Sequence, residues 1–169
     1  MKYCLLTHPF SKIEKEENYI VISDSLKYHY KNFSNVITPK YNVSNEIYFN
    51  KVDTQVNQNE NLSINTYKKI AEIYNLGYLD EKQIKFNISW LTDVFSRISF
   101  GRYLKIKYIF DNFEIKEAEL IKSNQEINFG STLDCLNAIK NINKNFVFDS
   151  YLTKEIINFF YNSDIKFNF

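Results

Sequence analysis

The chain is short of glycine. Gly77, Gly101 and Gly130 are the only three in 169 residues, and they stand far apart. Loops that cradle phosphates need clustered glycines, because the backbone must approach the ligand with no Cβ in the way. A P-loop and a glycine-rich dinucleotide turn are therefore both excluded. Histidine is equally scarce, with only His8 and His29. The two cysteines, Cys4 and Cys135, lack the paired spacing of a zinc site. No metal and no cofactor is expected. Two thiols so far apart are expected to be reduced and buried rather than bridged.

Long hydrophobic runs are missing too. None approaches the length of a membrane span. The apolar run before Thr7 is too short for a signal peptide, and the charged stretch 12–17 follows at once, so a cytoplasmic location is expected. Charge of one sign is also absent: 21 Lys and Arg face 20 Asp and Glu, a net charge of +1. The chain lacks the basic excess of a nucleic-acid binder, and equally the acidity of a DNA mimic.

Aromatic rings are what the chain has in quantity, 15 Phe and 13 Tyr. Each buried ring removes roughly 150–250 Å² from water. A chain of this length can therefore build a core without staples. Lysine dominates arginine, represented only by Arg97 and Arg102, and Asn, Ile, Phe and Tyr are abundant. These residues share A- and T-rich codons, the mark of an AT-rich or acquired gene.

Read along the chain, residues 2–8 form a strand ended by Pro9, and 19–22 a second. Asp24 is placed to cap a helix over 25–33. Residues 46–52 read as a strand. The polar, aperiodic stretch 53–62 reads as a mobile loop. A helix over 63–76 follows, ended by Gly77, and another over 89–99, ended by Gly101.

The clearest β signal is the alternation of 103–110, a turn at Asp111 and Asn112, and a second strand over 113–122. In that hairpin Lys105 meets Glu119 and Lys107 meets Glu117. Residues 126–129 add a third strand. Residues 131–142 read as a helix and 146–148 as a strand. A last helix, capped by Ser150 or Thr153, runs to Tyr161. The alternating end, 165–169, reads as a docked strand. The expected fold is α+β: a single domain over 1–169, with a mostly antiparallel sheet. Its centre is a β-meander over 102–129, packed by three to four helices.

No catalytic set stands out. His8 and His29, with Asp24, supply the residue types of an acid/base group, but nothing in the spacing brings them together. Gly130, Ser131 and Thr132 open a helix as ordinary turn chemistry. Arg97 and Arg102, extended by Lys105 and Lys107, form a basic strip that the cross-strand glutamates would neutralise. A charged rim of Glu14, Glu16 and Glu17, with the tyrosines Tyr28, Tyr30 and Tyr48, suits a partner-binding face.

The reading that follows is a non-catalytic protein-binding module. Its concrete form is a cytoplasmic immunity protein that occludes the active site of a toxin encoded next door. Two alternatives stand beside it. One is a small nuclease or transferase using His8 or His29. The other is a nucleic-acid-binding or phage host-modulating protein.

Overall fold

The structure is a computed structural model of the chain. It describes all residues except 41–44, 76, 78–79, 122–141 and 162–163; the side chains of 45–49, 81, 84, 87–91 and 142–145 are likewise outside the description. The chain falls into two compact units, one of residues 1–41 and 102–169, the other of residues 42–101.

The first unit is built on a sheet. Strand β1 is Lys2–Leu6, β2 is Tyr19–Val21, β3 is Val36–Ile37, β4 is Glu114–Glu119 and β5 is Lys166–Asn168. Their spatial order is β3-β2-β1-β4-β5, and every pair is parallel. Parallel neighbours need crossovers, and helices supply all of them except the one from β1 to β2, residues 7–18. Helix α1 (Asp24–His29) joins β2 to β3, and α4 (Ile142–Tyr161) precedes β5. Helix α3 (Glu81–Asn112) precedes β4, and its residues from Arg102 on belong to this unit.

The strand sequences explain the arrangement. Cys4, Leu5 and Leu6, then Tyr19 to Ile22, are buried without alternation. Strands covered on both faces are continuously apolar in this way. Leu5, Leu6, Ile20 and Ile22 are fully buried, each worth roughly 1.5–3 kcal/mol of transfer free energy. Against them pack Leu26 of α1, Ile106 and Ile109 of α3, and Ile156 and Ile157 of α4. Rings join the two long helices: Tyr103 meets Phe160 at 4.6 Å and Phe110 meets Tyr161 at 4.3 Å between centroids. One irregularity interrupts the sheet. Tyr3 pairs with Ile115 but Cys4 with Glu117, so β4 carries an extra residue, Lys116. Its ammonium reaches Glu17 at 2.9 Å.

The second unit holds α2 (Asn45–Ile73) and the part of α3 up to Gly101. Val52, Val56 and Ile64 are its buried positions on α2. Asn59 Nδ2 donates to Ser96 Oγ at 2.8 Å, and Arg97 pairs with Asp53 and Asp93.

This architecture overturns the expected antiparallel meander. Residues 103–110 are helical, not a strand, so the hairpin with 113–122 does not form. The two periods coincide there. Tyr103, Ile106, Ile109 and Phe110 make a helical stripe as good as the alternation, and Ile106 and Ile109 are its buried positions. Lys107 bridges Asp111 one turn on rather than Glu117. Gly101 does not end the helix; it is buried inside it. A lone helical glycine costs only about 1 kcal/mol against alanine, which the flanking turns outweigh.

Residues 46–52 and 53–62 lie in α2, neither a strand nor a loop. That helix ends at Ile73, and Asn75, not Gly77, takes the left-handed conformation with φ 53°. Residues 146–148 are in α4, and Ser150 and Thr153 sit mid-helix rather than at its cap. Asp24 is the first residue of α1, with Ser23 at the cap. The strands at 2–8 and 19–22 and the docked terminal strand stand as expected, β5 pairing with β4. The third strand over 126–129 and the helix over 131–142 lie outside the described residues, apart from Ile142, which opens α4.

Candidate functional site

The strand order reverses direction between β1 and β4. From β1 the chain leaves toward β2, and from β4 toward β5 on the other side. In open parallel sheets this switch point leaves a crevice outside the carboxyl ends of the strands, where ligands bind. Thr7 and His8 follow β1 there, and Leu120 and Ile121 follow β4.

These four residues are polar or expose backbone polar groups, and all need partners. Thr7 Oγ1 lies 2.6 Å from the Glu119 carbonyl oxygen, which can only accept, so Thr7 donates to it. Its single proton is then spent, and at 2.8 Å the Ser150 hydroxyl must donate to Thr7. Ser150 Oγ in turn accepts the Ile121 N–H at 3.2 Å. The result is one directional chain, Ile121 N–H to Ser150 to Thr7 to Glu119 C=O. It fastens α4 to the ends of both central strands with every proton used. Such chains polarise one another in a low-dielectric interior.

The loop after β1 is held from the other side. Tyr30 donates its hydroxyl to the His8 carbonyl at 2.7 Å and accepts the Ser11 N–H at 3.2 Å. Burial pushes the Tyr30 phenol upward, so it stays a donor. His8 is 6% exposed. Its Nδ1 accepts the Phe10 N–H at 3.2 Å, which fixes the neutral tautomer with the proton on Nε2. Burial holds the imidazole below its usual titration range, opposed by the Glu119 carboxylate and the Leu120 carbonyl. Nε2–H faces the Leu120 carbonyl, without a well-formed hydrogen bond among the described residues.

His8 Nε2 has company. Ser11 Oγ, Arg102 Nη1 and Thr153 Oγ1 are also buried without a partner. Ser11 is on the same loop. Thr153 is one turn beyond Ser150 on α4, and Arg102 pairs through Nη2 with Asp149, the neighbour of Ser150. Lys105 belongs to the same region. Burial and the Arg102 charge lower its titration, against Asp24 and Asp149. Buried polar atoms without partners are few in native proteins, and each asks for a reason. The four found among the described residues gather at or within a helical turn of the carboxyl edge.

Phe10 completes the surroundings. It is 68% exposed. Its ring stacks on His8 at 6.0 Å and meets Phe146 of α4 edge-on at 6.0 Å. By contrast, the groove of about 360 Å³ between α2 and α3 in the second unit, beside Asn59 and Ser96, already has that polar pair satisfied.

The residues singled out in the sequence are placed as follows. Tyr30 is 4% exposed and structural, not available to a partner. Glu17 is spent on Lys116 and the Tyr19 hydroxyl. Glu14 and Glu16 are exposed, and Tyr28 is 76% exposed. Tyr48 lies on α2 with its side chain outside the described residues. His29 is exposed on α1 while His8 is buried at the carboxyl edge. Arg97 and Arg102 are each taken by carboxylates of their own unit, so no basic strip forms.

Cys4 is a free buried thiol pushed up to about 12, by burial first and then by Glu119 and Glu117, and is inert. Cys135 and the turn at 130–132 lie outside the described residues. Thr7, Phe10 and Thr153 as site residues were missed. The signal for Thr7 is positional, a polar residue directly after an apolar strand; nothing in the sequence singles out Phe10 or Thr153.

No protein family, curated protein or solved structure matches the chain. No helix among the described residues is long and apolar enough to cross a membrane.

Proposed function

We propose that this chain is a small-molecule-binding α/β protein whose site is the crevice between β1 and β4. One observation carries the reading: the buried polar groups without partners collect where the strand order reverses. At the same edge Thr7 and Ser150 are tied down by each other and by the ends of both strands. An orphaned donor costs about 1–3 kcal/mol, and a ligand that supplies its acceptor recovers that cost.

The scarcity of glycine shapes how the site works. With no glycine between β1 and β2, the backbone cannot cradle a diphosphate there. The ligand is held by side chains, chiefly His8. A thermal-shift screen of the full chain against polar metabolites tests the reading. A ligand at about a hundred times its Kd adds about 2.7 kcal/mol of stability. His8→Ala abolishes that gain if the reading holds; a gain unchanged in His8→Ala contradicts it.

A second reading, the protein-binding module of the immunity type, draws on the exposure of Tyr28, Glu14 and Glu16. An exposed Tyr and exposed carboxylates are the residue types of an interface anchor and its rim. Pull-down of one stoichiometric protein, lost in Tyr28→Ala, supports it. Retention of that partner in Tyr28→Ala contradicts it.

A further inference from the structure

The sheet has two outer edges, and they differ. Strand β3 is two residues long, and Pro39 follows two residues on with no N–H to give. Shortness and proline are common ways to close a sheet edge. Strand β5 carries neither a proline nor a bulge, and among the described residues nothing pairs with its outer side.

The ladder to β4 fixes which groups face that edge. The Asn168 carbonyl accepts the Leu120 N–H at 2.9 Å, so Asn168 turns its backbone polar groups inward. Along a strand this direction alternates residue by residue. Phe167, with Ile165 and Phe169 flanking β5, therefore turns its N–H and C=O toward the open edge. The side chains of these three share one face. Ile165 and Phe167 pack on the core, while Phe169 is 66% exposed, with the Lys154 ammonium 5.8 Å from its ring centre. Lys166 and Asn168 share the other face, where Asn168 bridges Glu117 and Glu119.

We propose that β5 pairs with β5 of a second copy of this chain, antiparallel, across a two-fold axis at Phe167. The segment is self-complementary in that register. The two Phe167 residues exchange both backbone hydrogen bonds, and Ile165 of each copy covers the exposed Phe169 of the other. On the opposite face Lys166 of each copy stands against Asn168 of the other, toward the carboxylate pair that Asn168 bridges. An axis at Lys166 would instead set two ammonium groups against each other. The contact is isologous and closes on itself. The joined sheet ends on the blocked β3 at both sides, so association stops at the dimer.

An interface built on one short strand falls at the small, transient end of the range and is read at high concentration. Sedimentation equilibrium of the full chain, kept reduced, over about 10 μM to 1 mM covers it. The mass is expected to rise from that of one chain toward that of two. Amide hydrogen exchange at both ends of that range locates the contact. Protection of Ile165, Phe167 and Phe169 is expected to rise with concentration, while Lys166 and Asn168, which face β4, keep theirs.

Phe169→Glu sets a carboxylate against Ile165 of the second copy and is expected to weaken the dimer about tenfold or more, as for loss of an aromatic anchor. Lys154 still faces an attractive partner in that variant, and circular dichroism checks its fold. Lys166→Glu changes a side chain 72% exposed and turns the attraction to the other copy's carboxylates into repulsion, so it weakens the dimer too. A single-chain mass throughout the range overturns the proposal. So does a dimer that leaves exchange at residues 165, 167 and 169 unchanged, or one that both variants form as readily as wild type.

Discussion

His8 carries the account at the scale of a residue. It is buried neutral, with its titration held below the usual imidazole value by burial. The folded state therefore binds its proton less readily than the unfolded chain does. The stability from keeping His8 neutral is complete above pH 6.5, the unfolded value. It is lost as pH falls from there through the folded value.

Urea unfolding of wild type and His8→Asn at pH 7.5 and 5.5 checks this. Wild type is expected to lose more stability than the variant over that interval, because only wild type must charge the buried imidazole. An equal loss contradicts a buried neutral His8. The residue was legible in the sequence as one of two histidines, but its role was not. Its partner is the Phe10 N–H two residues on and its cover comes from Leu120 and Tyr30, contacts that no spacing announces. Tyr30 went the other way. It reads as an interface tyrosine by type and is a buried strut by position.

Among elements, α4 decides the geometry of the site. Ser150 is the link by which it grips both central strands. Ser150→Ala strands the Ile121 N–H and takes the donor from Thr7, and is expected to cost about 1–3 kcal/mol in urea unfolding. Thr7→Val breaks the same chain at its other joint. The double variant should therefore cost clearly less than the sum of the two. Additive costs would contradict a single chain.

Helices α3 and α4 also show where sequence reading stopped. Both contain short segments, 103–110 and 146–148, whose β-branched and aromatic content fits a strand. Each is carried into a helix by the turns on either side of it. The end of α4 at Tyr161 and the strand β5 beyond it were legible, since a helical stripe followed by clean alternation leaves little choice.

For the whole molecule, the decisive feature is that all five strands run parallel. The evidence was present in the unbroken apolar runs of β1 and β2, which mark strands covered on both faces. It was masked by β4, whose sequence, residues 114–119, is as charged as a half-exposed edge of an antiparallel sheet. Its outward carboxylates, Glu117 and Glu119, are instead bridged by Asn168 of β5 at 2.6 and 3.0 Å. The parallel order β3-β2-β1-β4-β5 leaves a switch point between β1 and β4. A meander has no such point, so the site could not be foreseen from the antiparallel reading.

The central claim is that this point is where the protein binds. Backbone amide shift mapping of the ¹⁵N-labelled chain, titrated with the best ligand of the thermal screen, tests it most directly. The account expects the largest shifts in residues 7–11, at Leu120 and Ile121, and in the part of α4 around Phe146, Ser150 and Thr153. Shifts centred on α2, or on α1 around Tyr28, with those residues unmoved, would contradict it.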